Sequence, residues 1–135
     1  MTPSASRLLY VDTSALARLV VSEANSEELA TYLREAVLVA SALGAVELMR
    51  LARRNGDAEA RRAEDVLATI GLIAVTPDVL EAAARLEPAS LRTLDAVHVA
   101  TAQLLRPDLE ALVTYDPRMR AAAEAAGMPV AAPGA

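Results

Sequence analysis

Five short apolar runs are spaced along this chain, and helical stretches separate each from the next. No tight two-residue hairpin turn joins any pair of them. The first, Arg7-Leu8-Leu9-Tyr10-Val11, ends in Asp12, and Val37 to Ala40, Leu72 to Val75, Ala111 to Tyr115 and Met128 to Val130 follow. Continuous apolar runs without in-and-out alternation mark strands covered on both faces, as in a parallel sheet. A chain that enters a helix after every strand must bring the next strand in parallel. The expectation is therefore an α/β fold with a mostly parallel sheet of four or five strands and helices on both faces.

Local signals place the helices. One is expected from Ser14 to Val20. The next opens at Asn25, with Glu28 three residues on as in a capping box, and runs to about Glu35. Ser41 caps a helix that ends near Asn55-Gly56, and Asp57 opens another that stops at Gly71. Thr76-Pro77 starts a helix with Pro in its first turn, where the missing N–H costs nothing. A further helix is expected from Ser90 to about Leu105, ended by Arg106-Pro107-Asp108, and a last one from Pro117 to Ala126, closed by Gly127.

With 135 residues, 54% of them hydrophobic, the chain can bury one core and is short for two domains. A single domain over 1–135 is expected, its core at about 7–130, with a disordered Ala/Pro/Gly tail at 131–135. The absence of cysteine excludes disulfides, thiol nucleophiles and Cys-based metal sites, and one histidine cannot build a His-rich one. Met1 to Arg7 lacks the form of a secretory signal, and no apolar run approaches the ~20 residues needed to cross a bilayer. A cytoplasmic protein without membrane contact is the expectation.

Four carboxylates carry the chemistry. Asp12 and Asp116 follow apolar strands at the edge where open α/β sheets bind ligands. Each also precedes a helix, so an N-cap explains either one alone. Glu47 is harder to explain, since it lies four residues from Leu43 and from Leu51 on what reads as a buried stripe. Asp95 stands likewise between Leu91 and Val99. A buried acid needs a partner; Arg50 is available to Glu47, and Arg92 or His98 to Asp95, each three residues away. Taken jointly, the four can converge at the carboxyl end of the sheet, where mutual repulsion calls for a cation. Oxygen-only ligands suit Mg²⁺ or Mn²⁺ rather than zinc.

The segments Val11-Asp12-Thr13-Ser14-Ala15-Leu16, Val46-Glu47, Leu94-Asp95-Ala96-Val97-His98-Val99-Ala100 and Thr114-Tyr115-Asp116 resemble the four ordered motifs of PIN domains, in particular those of VapC toxins from bacterial toxin–antitoxin pairs. The resemblance spans Leu8 to Val130. It implies a Rossmann-like α/β/α sandwich and a magnesium-dependent endoribonuclease with Asp12, Glu47, Asp95 and Asp116 as catalytic acids. Asp12, Asp95 and Asp116 are then direct or water-mediated metal ligands, and Glu47 orients or deprotonates the attacking water. Ser14 and Thr114 match small hydroxyl residues that support such a pocket, although both also read as capping hydroxyls. His98 matches a family position too, but a lone histidine on a core-facing helix is expected to be a satisfied structural residue outside the site. Self-association into a homodimer and a cognate VapB-like antitoxin are further implications.

An RNA substrate must be held by cations. The formal charge is -5, yet setting the four acids aside leaves 14 acidic against 13 basic side chains, and all 13 are Arg. Arg50 and Arg53, with Arg54, Arg61 and Arg62 nearby, and Arg118, with Arg120, are the candidates for phosphate contacts. The lack of Lys argues against receiver-type phosphoacceptor domains and haloacid-dehalogenase-like phosphatases, which use one, and against P-loop nucleotide binding. The alternative is a catalytically inactive PIN-like binding module that sequesters a partner, using amphipathic helices over 24–35 and 58–70.

Overall fold

A computed structural model of the protein describes residues 7–135. The segment 1–6, most of the stretch read above as unlike a secretory signal, lies outside the described residues. The elements are β1 (Arg7–Val11), α1 (Thr13–Val20), α2 (Ser26–Leu33), β2 (Ala36–Ser41), α3 (Ala42–Asn55) and α4 (Asp57–Leu67). They continue with β3 (Gly71–Ile73), α5 (Pro77–Arg85), α6 (Thr93–Leu104), β4 (Ala111–Val113), α7 (Pro117–Ala125) and β5 (Val130–Ala131). The sheet is parallel throughout, in the order β3-β2-β1-β4-β5.

That order has a reversal built into it. From β1 the chain steps outward through β2 to β3, then crosses back to β4 on the other side of β1. Because parallel crossovers are right-handed, the two directions put their helices on opposite faces. Helices α1 to α4 pack together over one face, and α5 to α7 over the other.

The strand pleat divides the core to match. On β1, Leu9 and Val11 join Leu16, Leu29 and Leu48 beneath the first helical layer. Tyr10 points the other way, with Leu112, Val99 and Met119. These side chains are essentially buried, each worth about 1.5–3 kcal/mol for a large apolar residue. In α6 the whole run Ala96 to Ala102 is buried. A helix apolar on all sides belongs in an interior, and this one lies between the sheet and its neighbours α5 and α7.

Several expected boundaries move. The helix expected from Ser90 begins at Thr93, because Pro88 to Ser90 form an exposed turn first. Asn25 precedes α2 but makes no side-chain cap bond; the Ser26 hydroxyl ties the loop instead, accepting from Glu23 N and donating to the Arg18 carbonyl. Helix α4 stops at Leu67, and Gly71, expected as its terminator, starts β3. The tail over 131–135, expected to be disordered, is tied down. Ala131 pairs in β5, Thr114 N–H donates to its carbonyl, and the Tyr115 hydroxyl donates to Pro133 O at 2.7 Å. Composition alone could not reveal that these backbone groups find partners. No helix among the described residues is long and apolar enough to cross a membrane.

Candidate active site

Strand order reverses between β1 and β4, and open α/β sheets bind their ligands in the crevice beyond such a point. Asp12 stands there, directly after β1, and its N–H donates to the Val113 carbonyl of β4. Its side chain is buried, at 1% exposure. Oδ1 accepts from the Ser14 hydroxyl at 2.7 Å and from Ala15 N at 2.9 Å, and Oδ2 accepts from the Thr114 hydroxyl. Burial pushes the Asp12 carboxyl up, against these donors and the nearby His98. An acid so enclosed is held in one orientation.

Asp116 follows β4 and caps α7, its Oδ1 accepting from Arg118 N at 2.9 Å. Its own N–H donates to Thr114 Oγ1, the oxygen that also serves Asp12. Ser14 Oγ likewise accepts from Tyr115 N. Ser14 and Thr114 therefore join the end of β1 to the end of β4. Asp12 and Asp116 are both N-caps, and both stand at the end of a strand bordering the reversal point.

Glu47 arrives from α3. The buried face of that helix is Gly44, Leu48 and Ala52, so Glu47 sits on its flank, half-buried, rather than in the middle of the apolar stripe. Arg50 is not its partner. Oε1 accepts from the Thr13 hydroxyl at 2.8 Å and meets His98 Nε2 at 2.7 Å. Burial would raise the Glu47 carboxyl, but the bonds from His98 and Thr13 outweigh it and hold it below the usual range.

His98 is the buried, satisfied residue expected from the sequence, and one of its two partners is Glu47. Its Nδ1 lies 2.6 Å from the Tyr10 hydroxyl, and the Tyr10 oxygen also accepts from Ser41 N at 3.1 Å. Burial keeps the Tyr10 phenol protonated by pushing its pKa far up. Its proton goes to Nδ1, which leaves Nε2 as the protonated nitrogen that donates to Glu47. Gly44 makes room for the ring, since a Cβ there would stand 3.2 Å from His98 Cε1. Tyr10, Thr13 and Gly44 were not singled out in the sequence. Tyr10 gave one signal, a polar atom in the centre of a doubly covered strand.

Asp95 lies in the first turn of α6, half-buried. Burial raises its carboxyl, and the negative charge of Asp116 raises it further; His98 and Arg92 pull it down, and Glu47 again pushes up. Glu47, Asp95 and Asp116 thus share one electrostatic environment, and His98 acts on Asp12 as well as on Asp95 and Glu47. Among the described residues no three His, Asp or Glu side chains converge closely enough to enclose an ion as they stand. The donor chemistry nevertheless fits a hard divalent cation, because the donors are oxygen only and the Asp95 carboxyl, raised by burial and by the charge of Asp116, gains from a nearby positive charge. Asp12, Asp95 and Asp116 are the residues that could hold it.

The expected phosphate contacts divide. Arg50 and Arg53 line a recess of about 330 Å³ together with Arg54, whereas Arg118 lines a separate one beside Arg92. Arg62 is spent on the Val20 carbonyl. A third recess, of about 340 Å³, opens among α1, α2 and α4, where Leu19, Val20 and Ala30 meet Arg18 and Arg62.

Residues 9–125 match the PIN domain family model. The chain belongs to the PIN-domain family, on its VapC-type ribonuclease branch. Ribonuclease VapC46 of Mycobacterium tuberculosis (strain ATCC 25618 / H37Rv) is 45% identical over 126 residues, covering 93% of this chain and 97% of that protein. Ribonuclease VapC47 of Mycobacterium tuberculosis (strain CDC 1551 / Oshkosh) is 38% identical over 134 residues, covering 95% and 98%. Among solved structures, a chain of a toxin-antitoxin complex from Klebsiella pneumoniae superposes with a TM-score of 0.71 at 28% identity, covering 95% of this chain and 98% of that one. The α/β/α sandwich expected from the sequence is the fold observed.

Proposed function

We propose that this protein is a magnesium-dependent endoribonuclease toxin that hydrolyses RNA phosphodiester bonds and is restrained by a cognate VapB-like antitoxin. What supports the reading is the charge shared by Asp95, Asp116 and Glu47 beside the enclosed Asp12 near the strand-order reversal, with Asp95 raised by burial and then by the charges of Asp116 and Glu47. Asp12, Asp95 and Asp116 would hold Mg²⁺, with Mn²⁺ as a substitute. Bound there, the ion supplies relief of phosphoryl charge and a more acidic water.

The protein's own groups do the rest. Ser14 and Thr114 fix both oxygens of Asp12. Glu47 stays ionised because His98 and Thr13 hold it so, and both occupy Oε1. Oε2 is then the oxygen that accepts a hydrogen bond from the attacking water and orients it. Attack of water at phosphorus with departure of the 3′-oxygen, the course that the PIN-domain resemblance implies, leaves a 5′-phosphate and a 3′-hydroxyl.

Self-association into a homodimer belongs to the same reading, and the recess among α1, α2 and α4 offers apolar surface to an antitoxin segment. The test is incubation of purified protein with a mixed RNA pool, with and without Mg²⁺, beside Asp95→Asn and Asp95→Ala. Cleavage in Mg²⁺ that either substitution abolishes, with the fold retained, supports it. Full activity of Asp95→Ala in EDTA refutes it, and RNA left intact under all conditions points to a binding module instead.

A further inference from the structure

Between the turn that leads into α6 and helix α7 lies a recess of about 400 Å³ that none of the catalytic steps above uses. Leu91, Ala121 and Ala122 supply an apolar wall, and Arg92 and Arg118 supply two positive charges. Its place follows from the chain. Arg92 precedes α6 three residues before Asp95, and Arg118 falls in the first turn of α7, two residues after Asp116. Arg92 acts on the Asp95 charge and Arg118 N–H donates to Asp116 Oδ1, so the recess adjoins these two acids.

Four of the thirteen arginines are held in ion pairs. Arg7, Arg18, Arg85 and Arg120 pair with Glu110, Glu23, Glu81 and Glu124. Arg92 and Arg118 have no ion pair among the described residues, in a chain whose formal charge is -5. Two guanidinium groups outside any salt bridge, Arg92 within range of the Asp95 charge, stand against an apolar wall in a volume within the ~300–1,000 Å³ range of ligand sites, and fit an anion that carries a flat apolar group. No aromatic side chain lines the recess, so the flat group would rest on aliphatic carbon rather than stack.

We propose that this recess binds the nucleotide adjoining the scissile phosphodiester, its base against Leu91, Ala121 and Ala122 and its phosphate on Arg92 and Arg118. The proposal rests on the ribonuclease reading and adds a substrate subsite to it. Arg118 was a candidate for phosphate contact from sequence; Arg92 and the apolar wall emerge only from the fold.

Binding without turnover isolates the subsite. Fluorescein-labelled single-stranded RNA oligonucleotides of mixed sequence are titrated in EDTA and followed by anisotropy at several salt concentrations. Wild type is compared with Arg92→Gln/Arg118→Gln, Arg92→Lys/Arg118→Lys and Ala121→Trp, each checked for native folding by circular dichroism. The Gln pair should bind at least about tenfold more weakly, with a salt slope shallower by about 0.7–1.4 for one or two lost single-strand phosphate contacts. The Lys pair should retain most of that slope. Ala121→Trp, which fills the recess without changing charge, should weaken binding at unchanged slope.

A Gln pair and an Ala121→Trp variant that bind RNA like wild type overturn the subsite. If wild type still cleaves RNA and Asp95→Asn does not, the ribonuclease reading survives that failure, and the recess is left for a protein partner. Wild type that neither binds nor cleaves RNA overturns both.

Discussion

Replacing Tyr10 by Phe removes a single oxygen from the centre of the molecule, and the consequences follow from its contacts. That oxygen accepts from Ser41 N and donates to His98 Nδ1. Without it, the buried Ser41 N–H loses its acceptor and the imidazole loses the donor that sets its tautomer. Leaving a buried group unpaired costs about 1–3 kcal/mol, and no large cavity adds to this, because the ring remains. For catalysis the loss runs through His98 to Glu47. Removing a partner that orients a working residue typically lowers activity about 10–100-fold, equal to about 1.4–2.7 kcal/mol of barrier. Tyr10 is fully buried, so it cannot touch substrate and KM should stay unchanged. The Glu47 carboxyl, lowered only because His98 and Thr13 outweigh burial, should rise, moving the acid limb of the kcat/KM profile to higher pH. The assay is cleavage of a quenched RNA oligonucleotide from about pH 3.5, below the ordinary Glu range, to about pH 8, paired with urea unfolding. A loss of stability with wild-type kcat and an unmoved profile would refute the relay.

Other consequences follow from the same geometry. Asp12→Asn keeps an N-cap and removes a charge that burial disfavours, so it should raise the melting temperature in EDTA while abolishing cleavage. Because the folded Asp12 pKa is raised, the fold binds that proton more tightly than the unfolded chain does. The stability tied to it is present below about 3.8, the ordinary value, and is lost as pH rises through the raised pKa. The Asn gain should therefore be full at neutral pH and vanish in strong acid, as thermal melts across pH would show. Asp12→Ala loses the cap and orphans the Ser14 and Thr114 hydroxyls, and should be destabilised by about 1 kcal/mol or more relative to Asp12→Asn. Asp116→Asn should lower the Asp95 pKa in metal-free protein, read by carboxyl NMR titration, since it removes one of the charges that raise it. Gly44→Ala should reduce kcat by displacing the His98 ring a few tenths of an ångström, with KM unchanged. An unaltered kcat would show that the ring has slack.

Much of this was legible in the order of residues. Parallel strands follow from continuous apolar runs separated by helical stretches, because backbone direction is fixed by what lies between them. Asp12 and Asp116 were marked by their place after a strand. Glu47 and Asp95 were marked by polarity against an apolar background, although the stripe assigned to Glu47 was wrong; α3 buries Gly44, Leu48 and Ala52 instead. A helix repeat of 3.6 leaves more than one face plausible when Leu and Ala fill most positions.

Contacts between residues distant in sequence were a different matter. Tyr10 and His98 lie 88 positions apart, and His98 and Glu47 51 apart; nothing local couples them, so His98 read as core. The tail read as disorder because its backbone bonds go to Thr114 and Tyr115. Arg92 read as a local partner for Asp95, and only the approach of α6 to α7 sets it beside Arg118. The sequence by itself determined the parallel sheet with helices on both faces and marked the four acids as candidates, since these depend on periodicity and on residue type beside a strand end. Tertiary structure decided which hydrogen bond holds each acid and what lines the space beside them, because those depend on which helices the right-handed crossovers bring together over the reversal between β1 and β4.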